Sequence, residues 1–488
     1  MPWARRHRPV THRCHTEGMS AHTYSQTLHD VDAYAASLAD LVVSSPTSYH
    51  AVATAGARLD AVGFSQVDEK RTWNEVPTRG YVLRDGAIIA WMLPDSPGQH
   101  TGLRILGAHT DSPALKLKPT AAVTSHGFQL INAEVYGGPL LNSFLDRELG
   151  LAGRLVTRDG EVHLVRTGPV ARVAQVAPHL DRGVNDSLHL NPQANLLPLW
   201  TLLDDAAGAP TSVSGPAPAH LATRHDDAAS RGERGAVEEY LCELAGIDPA
   251  DLAFHDVLTF PTEAPARFGR HGEFLASSRL DNLSSVSAGL VALEALAAGD
   301  GTSWDAASAR DAIVFVANDH EEVGSESRSG AGGPFLEQVL GRLAGAMGFE
   351  GDASQALLAR SVCVSADAGH SVHPEYAQLH DPVVQPLLNR GPLTKINARQ
   401  RYATDAVGVT VWERACRAAG VPSQSFVSNN AVACGTTIGP ITAARLGVTT
   451  VDIGQPLLSM HSLREMCGVE DGPWMAQAIR AYWAGDQA

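Results

Sequence analysis

The sequence is poor in cysteine and has no long apolar run. Its six cysteines include no C-x-x-C pair and lie at Cys14, Cys242, Cys363, Cys416, Cys434 and Cys467. This spacing excludes a finger-type zinc site and a disulfide framework, and it is typical of a protein that resides in the reducing cytoplasm. No segment is long and apolar enough to span a bilayer. The sequence therefore predicts a cytoplasmic protein that has no membrane partner.

The chain also has too few positive charges to balance its negative ones. With 37 Lys and Arg residues against 53 Asp and Glu residues, its formal net charge is −16. Such a charge repels phosphate backbones and anionic lipids, so nucleic acid is not expected as a partner. An acidic ligand would need positive charge supplied locally.

The length of the chain predicts two domains. Its 488 residues exceed what one ordinary core supports, and a 44% hydrophobic composition with 45 glycines is typical of a globular α/β protein with many turns. Residues 1–22 carry arginines such as Arg5 and Arg13 among prolines and histidines, and they lack the apolar core of a secretory signal. We expect a disordered tail here, or a segment ahead of a translation start at Met19.

The order of the sequence patterns indicates that one domain is inserted into another. Apolar residues with helical spacing over 23–44 and a hairpin signal at Asp85-Gly86 are followed by short apolar strands. From about residue 119, β-rich runs replace this alternation. The prediction is a discontinuous α/β domain, over 23–118 and 270–488, with an inserted β-rich domain over 119–269. Within the insert, residues 206–235 are rich in Ala, Gly, Pro and Ser and predict a long mobile loop.

An acidic loop follows one buried strand of the predicted α/β domain. The apolar run over 312–317 leads into Glu321 and Glu322. Ligands bind at the carboxyl edge of such sheets, and two adjacent carboxylates can point to different sides. One could then bind a metal while the other acts as a base on water. Adjacent glutamates alone are more often a solvated turn.

Further segments place a metal-binding side chain after or near a predicted strand, and these side chains are His109, Asp281, Asp367 and His461. Each alone has a simpler explanation, since histidines occur in turns and aspartates cap helices. Together with Glu322 they provide two imidazoles and three carboxylates, which suit two zinc ions if one carboxylate bridges them. Asp111 follows His109 closely and can orient its imidazole. The set predicts a hydrolase, because paired metals activate water and stabilise a tetrahedral oxyanion.

The motifs around these residues resemble those of the aspartyl aminopeptidase family of dinuclear zinc exopeptidases. The resemblance runs from about residue 25 almost to the C-terminus, and its motifs are AHTDSP at 108–113, RLDN at 279–282, EEVGS at 321–325, DAGH at 367–370, GPLTKIN at 391–397, CGTTIGP at 434–440 and MHS at 460–462. It implies an α/β fold, in which a phosphorylase/hydrolase-like zinc exopeptidase domain carries an inserted β-rich dimerisation domain. It also implies a cis peptide bond between Asp281 and Asn282.

The resemblance implies a role for each residue of the predicted metal centre. Two Zn²⁺ ions per subunit are expected, with Mn²⁺ or Co²⁺ as alternative metals, and Asp281 would bridge them. The other ligands would divide between the ions, with His109 and Asp367 on one and Glu322 and His461 on the other. Glu321 would be the general base, and Asp111 would be the catalytic partner of His109.

The resemblance also bears on the substrate. Lys395 and Tyr402 match residues that line the first specificity pocket, where a lysine would pair with an acidic side chain. His189 resembles a histidine that the insert of one subunit contributes to the active site of a neighbouring subunit, where it can stabilise the oxyanion. One departure weakens the expected preference for acidic residues, because the sequence NNAVA at 429–433 lacks a charge that the family usually has there.

The predicted function is therefore that of a metallo-aminopeptidase. It would remove the N-terminal residue, preferably Asp or Glu, from peptides with a free N-terminus, and it would work as a homo-oligomer, a dodecamer built from dimers. A dinuclear zinc dipeptidase or N-acyl amino acid hydrolase is an alternative that keeps the metals. A non-catalytic scaffold on the same fold is a third hypothesis, but it would be expected to lack the base or a ligand, and the sequence retains both.

Overall fold

The computed structural model describes residues 21–203, 235–299 and 304–485. The predicted tail over 1–22 lies outside these ranges except for its last two residues, which are helical. The predicted loop over 206–235 likewise lies outside the described residues except for Gly235.

The described ranges contain both α-helices and β-strands. The α-helices are α1 (Ala21–His29), α2 (Val31–Ser44), α3 (Ser48–Ala61), α4 (Pro192–Asn195), α5 (Ala236–Ala245), α6 (Leu280–Ala298), α7 (Phe335–Ala346), α8 (Asp352–Ala359), α9 (Ala406–Ala419), α10 (Ile438–Leu446) and α11 (Asp471–Ala484). The strands are β1 (Ser65–Gln66), β2 (Arg79–Arg84), β3 (Ala87–Met92), β4 (Leu103–His109), β5 (Ala114–Ser125), β6 (Phe128–Tyr136), β7 (Glu148–Thr157), β8 (Val162–Arg166), β9 (Ala171–Arg172), β10 (Leu199–Leu202), β11 (Leu252–Pro261), β12 (Ala266–Phe268), β13 (Phe274–Ser277), β14 (Ala312–Asn318), β15 (Val362–Ala366), β16 (Gly369–His370), β17 (Leu393–Ile396), β18 (Gln424–Val427), β19 (Thr449–Gly454), β20 (Pro456–Leu458) and β21 (Glu465–Gly468). Among these helices, none combines the length and apolarity that crossing a membrane requires.

The single helix predicted over 23–44 is two helices, α1 and α2. The break falls at Asp30, whose carboxylate accepts hydrogen bonds from the backbone N–H groups of Asp32 and Ala33, both at 2.9 Å. A side chain that satisfies these free N–H groups starts a new helix, which the apolar spacing alone does not reveal.

A nine-stranded sheet in the order β1-β2-β3-β14-β4-β15-β19-β17-β18 forms the centre of the α/β part. The hairpin predicted at Asp85-Gly86 is confirmed as β2 and β3. The four middle strands, β14, β4, β15 and β19, are mutually parallel, so their carboxyl ends meet at one edge. Along β14, Phe315 packs into one core with α6 and α11, while Val314 and Val316 pack into another with α7. Burial on both faces explains why this strand is a continuous apolar run.

The inserted segment forms a second sheet, whose order is β11-β5-β6-β10-β9-β7-β8. Because β11 also pairs with β7, six of these strands close into a ring, and β8 lies outside it. A separate apolar core fills this part of the chain, with Leu151, Leu155 and Val257 fully or almost fully buried. Its first strand begins at Ala114, before the expected boundary at 119, because β5 follows the His109 turn directly.

A third sheet, in the order β12-β13-β21-β20-β16, lies within the α/β part. Its strands β13 and β20 precede Asp281 and His461. The strands that precede the five predicted ligands therefore belong to two sheets of the α/β part. His109, Glu322 and Asp367 come from the carboxyl edge of the nine-stranded sheet, whereas Asp281 and His461 follow strands of the third sheet.

Candidate metal centre

The five predicted ligands converge on one buried cluster. His109 Nε2 lies 3.3 Å from Asp281 Oδ1 and 3.5 Å from Asp367 Oδ1. On the other side, His461 Nε2 lies 3.4 Å from Glu322 Oε2 and 3.5 Å from Asp281 Oδ2. The cluster thus consists of two groups of three ligand atoms that share one residue.

The shared residue is Asp281, at the start of α6. One of its carboxylate oxygens faces His109 and the other faces His461. The peptide bond between Asp281 and Asn282 is cis, as the sequence resemblance implied. A carboxylate with one oxygen directed to each group is placed as a bridge between two ions would require.

The spacing of the ligand atoms fits zinc. Ligand atoms at about 2.0–2.1 Å from a tetrahedral zinc ion stand about 3.3–3.4 Å apart. The four imidazole–carboxylate distances range from 3.3 to 3.5 Å. In addition, Asp281 Oδ1 and Glu322 Oε1 are buried oxygens that accept no hydrogen bond within the described ranges. Unpartnered buried carboxylate oxygens are costly unless a cation compensates them.

The electrostatics of the cluster also favour cations. Burial and the neighbouring Asp281 carboxylate raise the pKa of Glu322 well above its usual range. Burial alone would lower the pKa of His461, but its contacts with Asp281 and Glu322 raise that pKa to about 10. Both shifts show that the cluster attracts positive charge, whether a proton or a metal ion.

Glu321 lies beside this cluster and differs from its neighbour. Its Oε2 is 4.0 Å from His109 Nε2, farther than the oxygens of Asp281 and Asp367. Burial and the carboxylates of Asp367 and Asp281, against the opposing effect of His109, raise the pKa of Glu321 to about 7. A carboxylate with such a pKa can both accept and return a proton near neutral pH.

Asp111 holds several parts of the site together. His109 Nδ1 is 3.1 Å from its main-chain oxygen and 3.4 Å from Oδ1. Its carboxylate also accepts the backbone N–H groups of Glu321 at 3.0 Å and Glu322 at 3.1 Å. The hydroxyl of Tyr136, from the second sheet, donates to the same carboxylate at 2.8 Å. Sequence reasoning missed Tyr136, since a tyrosine at the end of a strand carries no motif.

His461 is fixed by two further groups that sequence reasoning missed. Its Nδ1 is 2.8 Å from the main-chain oxygen of Gly138, which lies in the inserted segment. Its backbone N–H donates to Glu465 Oε1 at 2.8 Å, and the other oxygen of Glu465 accepts the N–H of Asp281 at 3.1 Å. With Nδ1 turned towards a carbonyl, Nε2 is left to face the cluster.

Two of the three predicted substrate residues lie next to the cluster. Lys395 is buried, and its Nζ donates to the Ala368 oxygen at 2.6 Å and lies 3.6 Å from Asp367 Oδ2. Its ammonium also lies 5.4 Å from the ring centroid of Tyr402, which is itself buried. His189 is not brought to the cluster of its own chain, and it is exposed between β9 and α4.

The cluster contains two imidazoles and three carboxylates that are close enough to bind the same metal ions, and a further carboxylate with a near-neutral pKa lies beside it. On an α/β fold, these features define a zinc-dependent hydrolase. The family profile described as "Aminopeptidase I zinc metalloprotease (M18)" matches residues 41–483. The chain therefore belongs to the M18 family of zinc aminopeptidases, which hydrolyse peptides.

Individual relatives agree with this assignment. The chain is 45% identical over 441 residues to a protein of Streptomyces coelicolor called "Probable M18 family aminopeptidase 2", a match that covers 90% of this chain and 95% of that protein. Among solved structures, a chain in the cryo-EM structure of the Ape4 and Nbr1 complex has a TM-score of 0.83 and 32% identity, covering 95% of this chain and 86% of that one. The mApe1 dodecamer of S. cerevisiae has a TM-score of 0.77 and 26% identity, covering 94% and 98%.

Proposed function

We propose that the chain is a dinuclear zinc aminopeptidase that removes N-terminal residues, preferably Asp or Glu, from peptides. The observation that carries the dinuclear assignment is the position of Asp281, which directs one oxygen to each ligand group. One zinc ion would be held by His109 and Asp367 and the other by Glu322 and His461, with Asp281 shared.

The protein's own residues carry the proton transfers. Zinc bound here would lower the pKa of water and offset the charge of the tetrahedral oxyanion. Glu321 is the general base, because it is close to the cluster without being needed by either ligand group. It takes a proton from the attacking water and returns it to the leaving amine. Asp111 keeps Glu321 in place through the backbone N–H and keeps His109 oriented.

The proposed preference for acidic residues rests on Lys395. Its ammonium is buried next to Asp367, so an acidic side chain in the specificity pocket that the family resemblance implies would meet a desolvated positive charge. Tyr402 would form a wall of that pocket. The Ala368 carbonyl already accepts one hydrogen bond from Lys395, which leaves further ammonium donors for a substrate carboxylate.

We also propose that residues 119–269 form a domain that mediates dimerisation and that the active enzyme is a dodecamer built from dimers. Among the strands of the described residues, the outer strand β8 pairs with β7 alone, and it exposes Val162 and Leu164 by 56% and 41%. An apolar edge strand needs a partner, which a second copy would provide. The dodecameric state of the yeast relative supports the larger assembly. In it, the exposed His189 would reach a neighbouring active site.

One experiment tests the proposal directly. The zinc content of the purified protein is measured together with the hydrolysis of aspartyl, glutamyl, leucyl and N-blocked aspartyl peptides. We expect two zinc ions per chain, faster hydrolysis of the acidic substrates than of the leucyl one, and no hydrolysis of the blocked peptide. A single zinc ion would refute the dinuclear centre. Preferred hydrolysis of the blocked peptide would indicate an N-acyl amino acid hydrolase instead.

A further inference from the structure

Building on the proposed dinuclear centre, we propose that Glu465 is a positioning residue that ties the bridging ligand Asp281 to the terminal ligand His461. By doing so it sets the affinity of the site for the zinc ion held by Asp281, Glu322 and His461. Glu465 is not itself a ligand, and no oxygen of its carboxylate is needed in either group.

The geometry of Glu465 is that of a clamp on two backbone segments. The residue is 1% exposed and begins β21, where it pairs with Ser277 of β13. Its Oε2 accepts the N–H of Asp281 at 3.1 Å and its Oε1 accepts the N–H of His461 at 2.8 Å. These two ligands are distant in sequence and enter the cluster from different elements. One carboxylate thus fixes both of them relative to each other.

His461 depends on this contact more than an ordinary residue would. Its φ is +67°, in the left-handed region that side chains other than glycine rarely adopt, and the nearby Ser459 also has a positive φ of 56°. Such a turn persists where its surroundings hold it. The Gly138 carbonyl holds the His461 ring, while Glu465 holds the His461 backbone.

The substitution Glu465→Gln isolates this function. It keeps the shape of the side chain and one acceptor oxygen, but it replaces the other oxygen with an NH₂ group, which cannot accept a hydrogen bond from an N–H. The backbone N–H of either Asp281 or His461 then loses its acceptor. Loss of a group that orients metal ligands typically lowers metal affinity by about 10–100-fold. We expect this loss for the zinc ion held by Asp281, Glu322 and His461, because Glu465 holds two of its ligands, and a smaller loss for the ion held by His109, Asp367 and the shared Asp281.

A matched control comes from another buried carboxylate. Asp471 is fully buried at the start of α11 and accepts the backbone N–H groups of Asn389, Arg390 and Gly391 at 2.7–3.0 Å. Asp471→Asn removes a similar set of charge-assisted hydrogen bonds from a group that contacts none of the five ligands among the described hydrogen bonds and salt bridges. It reports the general effect of losing a buried carboxylate. We expect it to lower the melting temperature and to leave both zinc affinities unchanged.

The test is a zinc titration of full-length, chelator-stripped protein against a fluorescent zinc chelator. Wild type should show two sites, Glu465→Gln should lose more affinity at one of them than at the other, and excess zinc should restore the kcat of the variant. Equal affinities in Glu465→Gln and wild type, or an equal loss in Asp471→Asn, would overturn the inference alone. A wild type with one site would refute the dinuclear centre and the inference with it. If Glu465→Gln does not fold, Glu465→Asp, whose side chain is one methylene shorter, must show the same unequal loss at the two sites.

Discussion

Replacing Glu321 with glutamine separates the two roles that its position allows. His109, Glu321 and Glu322 lie close enough together to form a ligand group of their own, so Glu321 could be a metal ligand rather than a base. The substitution preserves the size of a side chain that is 16% exposed. It also preserves the hydrogen bond from the Glu321 backbone to Asp111. The fold and the acidic loop should therefore be unchanged.

The expected size of the effect follows from the role. A positioned general base contributes about 10²–10⁴-fold to the rate, which corresponds to roughly 2.7–5.4 kcal/mol at 1.36 kcal/mol per tenfold change. We expect kcat to fall by this factor in Glu321→Gln. Zinc content should stay at the wild-type value, because the four short imidazole–carboxylate contacts of the cluster involve other carboxylates.

The assay combines steady-state hydrolysis of an aspartyl peptide with zinc analysis and a melting temperature for each protein. Glu326→Gln is the matched control, since Glu326 is exposed on the same loop and should retain full activity. Activity within tenfold of wild type would refute the base assignment. Loss of one zinc ion in parallel with activity would show that Glu321 is a ligand.

Further predictions address the substrate, the assembly and the fold. Lys395→Ala should reduce kcat/KM for aspartyl and glutamyl peptides far more than for leucyl peptides, and an equal reduction would make the lysine structural. Co-refolding Glu321→Gln with His189→Ala subunits should restore part of the activity if His189 acts in a neighbouring subunit; mixed oligomers as inactive as their components would contradict this. The half-buried Arg58 and the buried Glu294 form a bidentate pair between α3 and α6, at 2.6 and 2.7 Å. Arg58→Ala should cost about 3–5 kcal/mol of unfolding free energy in denaturant, because it leaves Glu294 buried and unpaired, whereas Arg58→Met with Glu294→Leu should recover most of it.

The parts of the site that could be predicted from the sequence share a simple origin. His109, Glu322 and Asp367 each come after a buried apolar strand, and the carboxyl ends of parallel strands meet at one edge. The apolar runs therefore predicted both the strands and the convergence of these side chains. Asp281 and His461 follow shorter strands of another sheet, and the family resemblance supplied their assignment to individual ions. Those strands, β13 and β20, have only four and three residues.

Contacts that support the ligands from a distance in the sequence could not be predicted. Glu465 accepts two N–H groups from distant segments, and Tyr136 donates to Asp111 from another sheet. Neither contact produces a recognisable spacing or composition in the sequence. In the first the partners are main-chain atoms, and in the second the partner comes close only after folding. The same reason explains why the helix break at Asp30 was missed, although an aspartate before a helical run is a known capping signal.

The inserted segment contacts the candidate metal centre of its own chain, and these contacts do not depend on association with other subunits. Tyr136 and Gly138 both belong to it, and they contact opposite sides of the cluster through Asp111 and His461. Asp111 and Glu465 add to these contacts, since each carboxylate accepts hydrogen bonds from the backbone N–H groups of two residues at the site. Ligands held from several segments lose little freedom when a metal binds, so the centre is preorganised by contacts that cross from one sheet to the other. The insert therefore stabilises the site within one chain, whatever contacts it also makes between chains.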